Sequence, residues 1–240
     1  MSNSPLVNYT KISPNSTNPR RDKIKKITIH HMAGNLSVET CGNVFASPSR
    51  QASSNYGIGS DGRVGMYVEE KNRAWTSSSA ANDNQAVTIE VANDQIGGNW
   101  HVSDTALNKL IELCVDICKR NGIEKLIYTG DASGNLTRHN MFTATTCPGP
   151  YLQSKFPYIV EEVNKRLHSL TQKEGSKVEA YRQRLQMDYP SWAYNINSLI
   201  PIKKFNRGDC ITAVGIKQGW YILDINGTKC LIPSTPCKKL

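Results

Sequence analysis

Three side chains in this sequence could together hold a metal ion: His30, His139 and Cys147. The last two form an H-x7-C pair in the run RHNMFTATTCPGP, and His30 closes the stretch Lys25–His30, which holds the β-branched Ile27, Thr28 and Ile29. Zinc accepts imidazole nitrogen and thiolate sulfur, and a catalytic zinc site uses three protein ligands with the fourth position left open. By spacing alone the set is weak, because a single histidine is more often an ordinary surface or core residue. A fourth group stands out for a different reason. Glu90 interrupts the apolar run Thr88-Ile89-Glu90-Val91. A carboxylate buried without a partner is costly, so Glu90 needs a reason to be there, and an internal salt bridge is the plainest one.

The elements that must position these groups alternate between strand and helix. Lys25–His30 reads as a strand, so His30 and His31 face opposite sides. Ser37 caps a short helix through about Ala46. Asn55–Ile58 and Arg63–Val68 flank the turn Ser60-Asp61-Gly62 as a hairpin, and Ala86–Ala92 is a buried strand. Ser103 caps a helix whose Leu107, Leu110, Ile111, Cys114 and Cys118 share one face, ended by Gly122. Lys125–Thr129 reads as a further strand, and Tyr151–Leu170 as an amphipathic helix kinked or restarted at Pro157. This is an α/β domain with a mixed sheet. The polar segment Ser169–Glu179 then reads as a linker, which gives a domain at 1–168, a linker at 169–180 and a second domain at 181–240. The second is all-β: Asp209–Ile216, Trp220–Ile225 and Lys229–Pro233 are strands, and Asn226-Gly227 makes a hairpin turn between the last two. Its size suggests a small barrel.

The first domain resembles the zinc-dependent N-acetylmuramoyl-L-alanine amidase family of phage endolysins and peptidoglycan-recognition proteins. The resemblance rests on several stretches in series: Ile27-Thr28-Ile29-His30-His31, Ser60-Asp61-Gly62-Arg63-Val64, Ala74-Trp75, Thr88-Ile89-Glu90-Val91, Arg138-His139 and Thr145-Thr146-Cys147-Pro148-Gly149-Pro150. It implies that Zn2+ is held by His30, His139 and Cys147, and that Thr145 contacts the substrate carbonyl oxygen. Many members carry a tyrosine seven residues before the hairpin aspartate, where this chain has Ser54, with Tyr56 two places away. In another branch the base that acts on the zinc-bound water is the glutamate of an Ile-Glu strand, which the resemblance places at Glu90. The implied reaction is cleavage of the amide between the lactyl group of N-acetylmuramic acid and L-alanine of the stem peptide. The second domain resembles a bacterial SH3-like wall-binding domain through Lys203-Lys204-Phe205-Asn206-Arg207-Gly208-Asp209, Gly219-Trp220-Tyr221, Asn226-Gly227 and Leu231-Ile232-Pro233-Ser234. Trp192, Tyr194, Trp220 and Tyr221 could form its aromatic groove. The expected fold class is therefore an α/β mixed-sheet amidase domain followed by a small all-β SH3-like barrel.

Charge and composition narrow the partners. The chain carries 29 Lys and Arg against 20 Asp and Glu, a net charge of +9. From Ser169 to Leu240 the count is 11 against 5, so the excess lies toward the C-terminal end. That balance favours anionic partners: nucleic acid, an acidic membrane surface, or an anionic polymer such as cell-wall teichoic acid; the family resemblance adds peptidoglycan as the substrate. A nucleic-acid binder would need basic motifs interleaved with aromatics, which the sequence lacks. A peptidoglycan-binding module without catalysis is the competing class, against which Cys147 and Glu90 argue. No apolar run is long enough for a membrane span, and Met1 to Lys25 has no apolar leader core. The expectation is synthesis in a host bacterial cytoplasm and action on the wall after release. Seven cysteines without a C-x-x-C spacing suggest neither a disulfide framework nor a zinc ribbon.

Overall fold

The computed structural model describes residues 2–179, 183–217 and 219–240, with side chains on the longest helix described as far as His168. It divides into two units, Met1–Leu167 and His168–Leu240. In the first unit the strands are β1 (Tyr9–Thr10), β2 (Ser16–Thr17), β3 (Lys26–His31), β4 (Tyr56–Ile58), β5 (Val64–Met66), β6 (Arg73–Ala74), β7 (Ala86–Val91) and β8 (Leu136–Arg138). The helices are α1 (Val38–Ala46), α2 (Ala80–Gln85), α3 (Asp104–Asn121) and α4 (Pro150–Glu179). Six strands form one mixed sheet in the order β1-β5-β4-β7-β3-β8, while β2 and β6 pair separately. The β3 strand lies between β7 and β8 and runs parallel to both. The β4–β5 hairpin is antiparallel.

Register sorts the side chains of this sheet into two faces. Ile27 pairs with Val87 and Leu136, and Ile29 with Ile89, which in turn pairs with Tyr56. These residues sit in one core with Leu110 and Ile111 of α3 and Leu152, Phe156 and Ile159 of α4. Full burial of each such side chain contributes about 1.5–3 kcal/mol. The alternate residues Thr28, His30, Thr88, Glu90 and Thr137 share the other face, because Thr28 pairs with Thr88 and Thr137, and His30 with Glu90. His30 and Glu90, two of the residues singled out in the sequence, thus lie on that second face.

Ser37 caps α1 by accepting from the Thr40 N–H, and Ser103 caps α3 by accepting from Ala106. Gly122 closes α3 in the left-handed conformation, and Cys114 and Cys118 are fully buried on its core face. The helix α4 runs on through Pro157 to Glu179, so the segment read as a linker has helical backbone. One expected strand is absent. Lys125–Thr129 forms no ladder: the Ile127 carbonyl accepts from the Asn135 and Leu136 N–H groups, and amide side chains take several of its other backbone groups. Asn164 accepts from the Leu126 N–H and donates to its carbonyl, while Asn135 does the same for the Ile127 N–H and the Lys125 carbonyl. The strand beside β3 is Leu136–Arg138 instead.

An N-terminal arm precedes β3 and is fastened along its length. The Ser4 N–H donates to Tyr56 Oη, which donates to Glu70 Oε1 at 2.7 Å. Glu70 is fully buried and also meets Arg120 at 2.6 Å. Arg20 is buried with its guanidinium 2.6–3.3 Å from the carbonyl oxygens of Glu70, Asn72, Asp83, Asn84 and Ala86.

The second unit holds β9 (Gln183–Met187), β10 (Ser191–Asn195), β11 (Pro201–Phe205), β12 (Cys210–Lys217), β13 (Trp220–Ile225), β14 (Thr228–Pro233) and β15 (Cys237–Lys239). They form an antiparallel sheet in the order β11-β10-β14-β13-β12-β9-β15. Among the described residues no ladder joins β11 to β15, so the small barrel expected from sequence is seen as an open sheet. Its core contains Leu185, Ala213, Tyr221, Leu223 and Ile232. Asn226 and Gly227 both have positive φ, 52° and 81°, as the hairpin turn between β13 and β14 demands. Among the described residues all seven cysteines are free thiols.

Candidate metal centre

His30 comes from the C-terminal end of β3, His139 from the residue after β8, and Cys147 from the loop leading into α4. Parallel pairing of β3 with β8 fixes the first two side by side, with ring centroids 4.5 Å apart. Cys147 Sγ lies 3.7 Å from His30 Nδ1 and accepts from the His31 N–H at 3.5 Å. One donor atom from each of the three residues fits within 4.8 Å. The Nε2 atoms of His30 and His139 are buried without a hydrogen-bond partner. Sequence reading named these three residues, and the fold brings them together.

Electrostatics suit a cation here. Burial, then the neighbouring His139 and His31, hold the His30 imidazole well below its ordinary pKa. Burial also lowers His139, partly opposed by Asp83. Both rings are therefore neutral near pH 7, with lone pairs available. Burial, followed by the Glu90 charge, pushes the Cys147 thiol well above its ordinary value. A divalent cation reverses that cost, because coordination to thiolate replaces the lost hydration. Two neutral imidazoles and a thiol, with ring nitrogens left unpaired in the interior, fit Zn2+.

Glu90 extends from the same sheet face as His30, its register partner on β7. Its Oε2 is buried and unpartnered. Burial pushes its pKa up to about 8, an effect that Arg50 partly offsets. Among the described residues Glu90 makes no salt bridge, so the internal ion pair weighed from sequence is not what holds it. It lines a cavity of about 290 Å³ together with His139, Thr145, Cys147, Cys41 and Arg50. Thr145 Oγ1 accepts from the Cys147 N–H at 3.2 Å, which leaves its own hydroxyl hydrogen free to donate.

Beneath the site the face is packed with short polar side chains. Thr28 Oγ1 and Thr137 Oγ1 are 2.9 Å apart, and Asn82 Nδ2 donates to Thr28. Asp83 accepts from the Thr76 and Ser77 N–H groups and from Ser77 Oγ. Such networks hold one arrangement, because each lost partner leaves a buried polar group exposed to the full desolvation cost; Asn82 Oδ1 is the atom here that already lacks one.

Tyr56 and Ser54 are placed elsewhere. Tyr56 sits on the opposite face, in register with Ile89 rather than Glu90, and its hydroxyl is held by Glu70. Ser54 is fully buried, with Oγ 2.9 Å from the carbonyls of Tyr56 and Thr88. The His31 ring meets Trp100 edge-on at 5.3 Å, yet it lines the same cavity as Glu90, His139 and Cys147, with Nδ1 buried and without a hydrogen-bond partner. Sequence reading missed Arg50 and Cys41 as cavity residues. Nothing in their local sequence marks them, since α1 and the turn after it bring them in from the side.

A family model described as N-acetylmuramoyl-L-alanine amidase matches residues 20–150, more than half of the chain. The chain belongs to this amidase family. That stretch contains the three candidate ligands, Glu90 and Thr145. Solved structures share the fold of the first unit. PlyL aligns with a TM-score of 0.53 at 14% identity, covering 65% of this chain and 96% of PlyL. A mutant endolysin from Bacillus subtilis aligns at 0.51 and 16%, covering 65% of this chain and 99% of its own. The catalytic domain of XlyA aligns at 0.51 and 13%, with coverage of 65% and 99%. A comparison with curated proteins gives no match. Among the described residues of its central strands, Glu90 and no tyrosine shares the sheet face of His30.

Proposed function

We propose that this amidase is zinc-dependent, cleaves the amide between the lactyl group of N-acetylmuramic acid and L-alanine, and lyses bacterial walls as a phage-type endolysin. The observation that carries the reading is the convergence of His30, His139 and Cys147 beside a cavity also lined by Glu90, whose Oε2 is buried and unpartnered. Zn2+ held by the three ligands would supply Lewis acidity toward the carbonyl and lower the pKa of water. Glu90 takes the proton of the attacking water and returns one to the leaving amine, a role worth roughly 10²–10⁴ in rate. The Thr145 hydroxyl donates to the oxygen that gains charge as the carbonyl carbon becomes tetrahedral.

The second unit, residues 181–240 after the segment 169–180, is read as an SH3-like wall-binding domain that delivers the enzyme to peptidoglycan and anionic polymer. Trp220, which is 37% exposed, meets Tyr194 edge-on at 6.3 Å. These two line a cavity of about 440 Å³ with Leu199 and Lys217. Tyr221 belongs to the core instead, since neighbours on a strand face opposite ways. Trp192 is exposed but lies outside that cavity. No helix among the described residues is long and apolar enough to cross a membrane.

The test combines metal analysis with product identification. The purified protein should contain about one zinc per chain, and chelation should abolish wall lysis. Mass spectrometry of digested walls should show new L-alanine amino termini. Full activity in chelator, or new reducing sugars without such termini, overturns the reading. Binding to walls without any bond cleavage would select the non-catalytic module.

A further inference from the structure

Part of the catalytic cavity is left unused by hydrolysis. Besides the ligand loop, its lining includes Leu36 and, from α1, Val44 and Phe45. It also includes Arg50, the last residue of a single 3-10 turn, Pro48–Arg50, after which Gln51 takes a left-handed conformation with φ 53°. Among the residues that line this cavity, Arg50 is the one lysine or arginine. Its guanidinium is exposed, and no hydrogen bond or salt bridge holds it among the described residues. It nevertheless acts electrostatically on both Glu90 and Cys41 inside the cavity. A cation that faces a buried carboxylate without bonding to it is free to take an anion from the substrate.

We infer that Arg50 is a specificity-determining residue that binds a free carboxylate on the stem peptide, on the residue that follows the alanine of the cleaved amide. This rests on the proposed amidase reaction and extends it. Three properties of the lining support the assignment. With the amide at Glu90 and the ligand loop, the small methyl of the alanine suits the apolar surface of Leu36, Val44 and Phe45. The next group along the peptide then reaches the turn at Arg50. The peptide's carboxylate is the chemistry a planar guanidinium fork recognises best, through two parallel N–H donors, and a carboxamide offers it one acceptor and two opposing hydrogens. The sugar side of the substrate offers hydroxyls and an acetamido group, neither of which needs a full positive charge.

The test uses the full-length zinc-loaded enzyme and two soluble muramoyl tripeptides with amidated C-termini. They differ only in whether the second residue carries a free α-carboxylate or a carboxamide. The wild type should prefer the carboxylate by about ten- to hundred-fold in kcat/KM, the range of a hydrogen bond to a charged group, with the difference mainly in KM. Arg50→Gln should erase that preference, and Arg50→Lys should restore part of it. The ratio between substrates is taken at one pH, so any change in Glu90 protonation caused by losing the Arg50 charge cancels. Equal KM values for the two substrates in the wild type, or an intact preference in Arg50→Gln, would overturn the subsite and leave the amidase reading standing. Failure to cleave the lactyl–alanine amide in either substrate would overturn both.

Discussion

Replacing Glu90 with glutamine should weaken catalysis and strengthen the fold at the same time. The carboxyl has a folded-state pKa of about 8 against 4.5 ordinarily, raised chiefly by burial. Between those values the folded chain binds more protons than the unfolded one, so this group makes stability fall as pH rises. Each pH unit is worth about 1.4 kcal/mol. The cost is therefore under about 1 kcal/mol at pH 5 and has a ceiling of about 3 kcal/mol at pH 7. Glutamine has the shape of the neutral acid and cannot ionise. The metal-free Glu90→Gln protein should thus melt with the wild type near pH 5 and above it at pH 7–8, by up to roughly 6–12 °C for a chain of this size. With zinc restored, the same variant should lose roughly 10²-fold or more in rate. Calorimetry in chelator across pH 5–8, paired with turnover of a soluble muropeptide, checks both halves. A stability difference that does not grow with pH would show that Glu90 carries no desolvation cost, and the argument for its role would fail.

Tyr56→Phe should leave turnover within about two-fold while lowering stability by about 1–3 kcal/mol, the cost of unpairing groups around buried Glu70; loss of activity in the folded variant would return the base role to Tyr56. Gly57→Ala places a methyl 2.7 Å from Tyr67 Oη, so it should destabilise by more than about 1 kcal/mol, read as a lower urea midpoint. Truncation after His168 removes none of His30, Glu90, His139, Thr145 or Cys147, and should preserve cleavage of soluble muropeptides. It should reduce sedimentation with intact walls, and about 0.5 M salt should do the same to the full chain if attachment is electrostatic.

Strand parity made much of the site legible. His30 and Glu90 read as apolar-strand intruders at even spacing from Thr28 and Thr88, and the register confirms that all four share a face. The same rule separates Tyr56 from Glu90 and Tyr221 from Trp220, yet it works only once the register is known. Lys125–Thr129 misled because its composition is strand-like while Asn135 and Asn164, remote or outside that window, take its hydrogen bonds. The helix α2 has only six residues, too few for a periodic pattern. Arg50 and Cys41 enter the cavity through tertiary packing, which leaves no local trace.

The fastening of the N-terminal arm also sets an order of events. Arg20 needs carbonyls as far along as Ala86, and Glu70, which anchors Ser4 through Tyr56, needs Arg120. The arm around Ser4 must therefore wait for more than a hundred successors before every partner exists. His30 waits longer still, for Cys147. Closure across such separations is slow, because chain entropy is lost before any contact compensates for it. A nascent chain of this amidase consequently cannot bring its candidate ligands together until the first unit is almost fully synthesised, with the second unit still to follow.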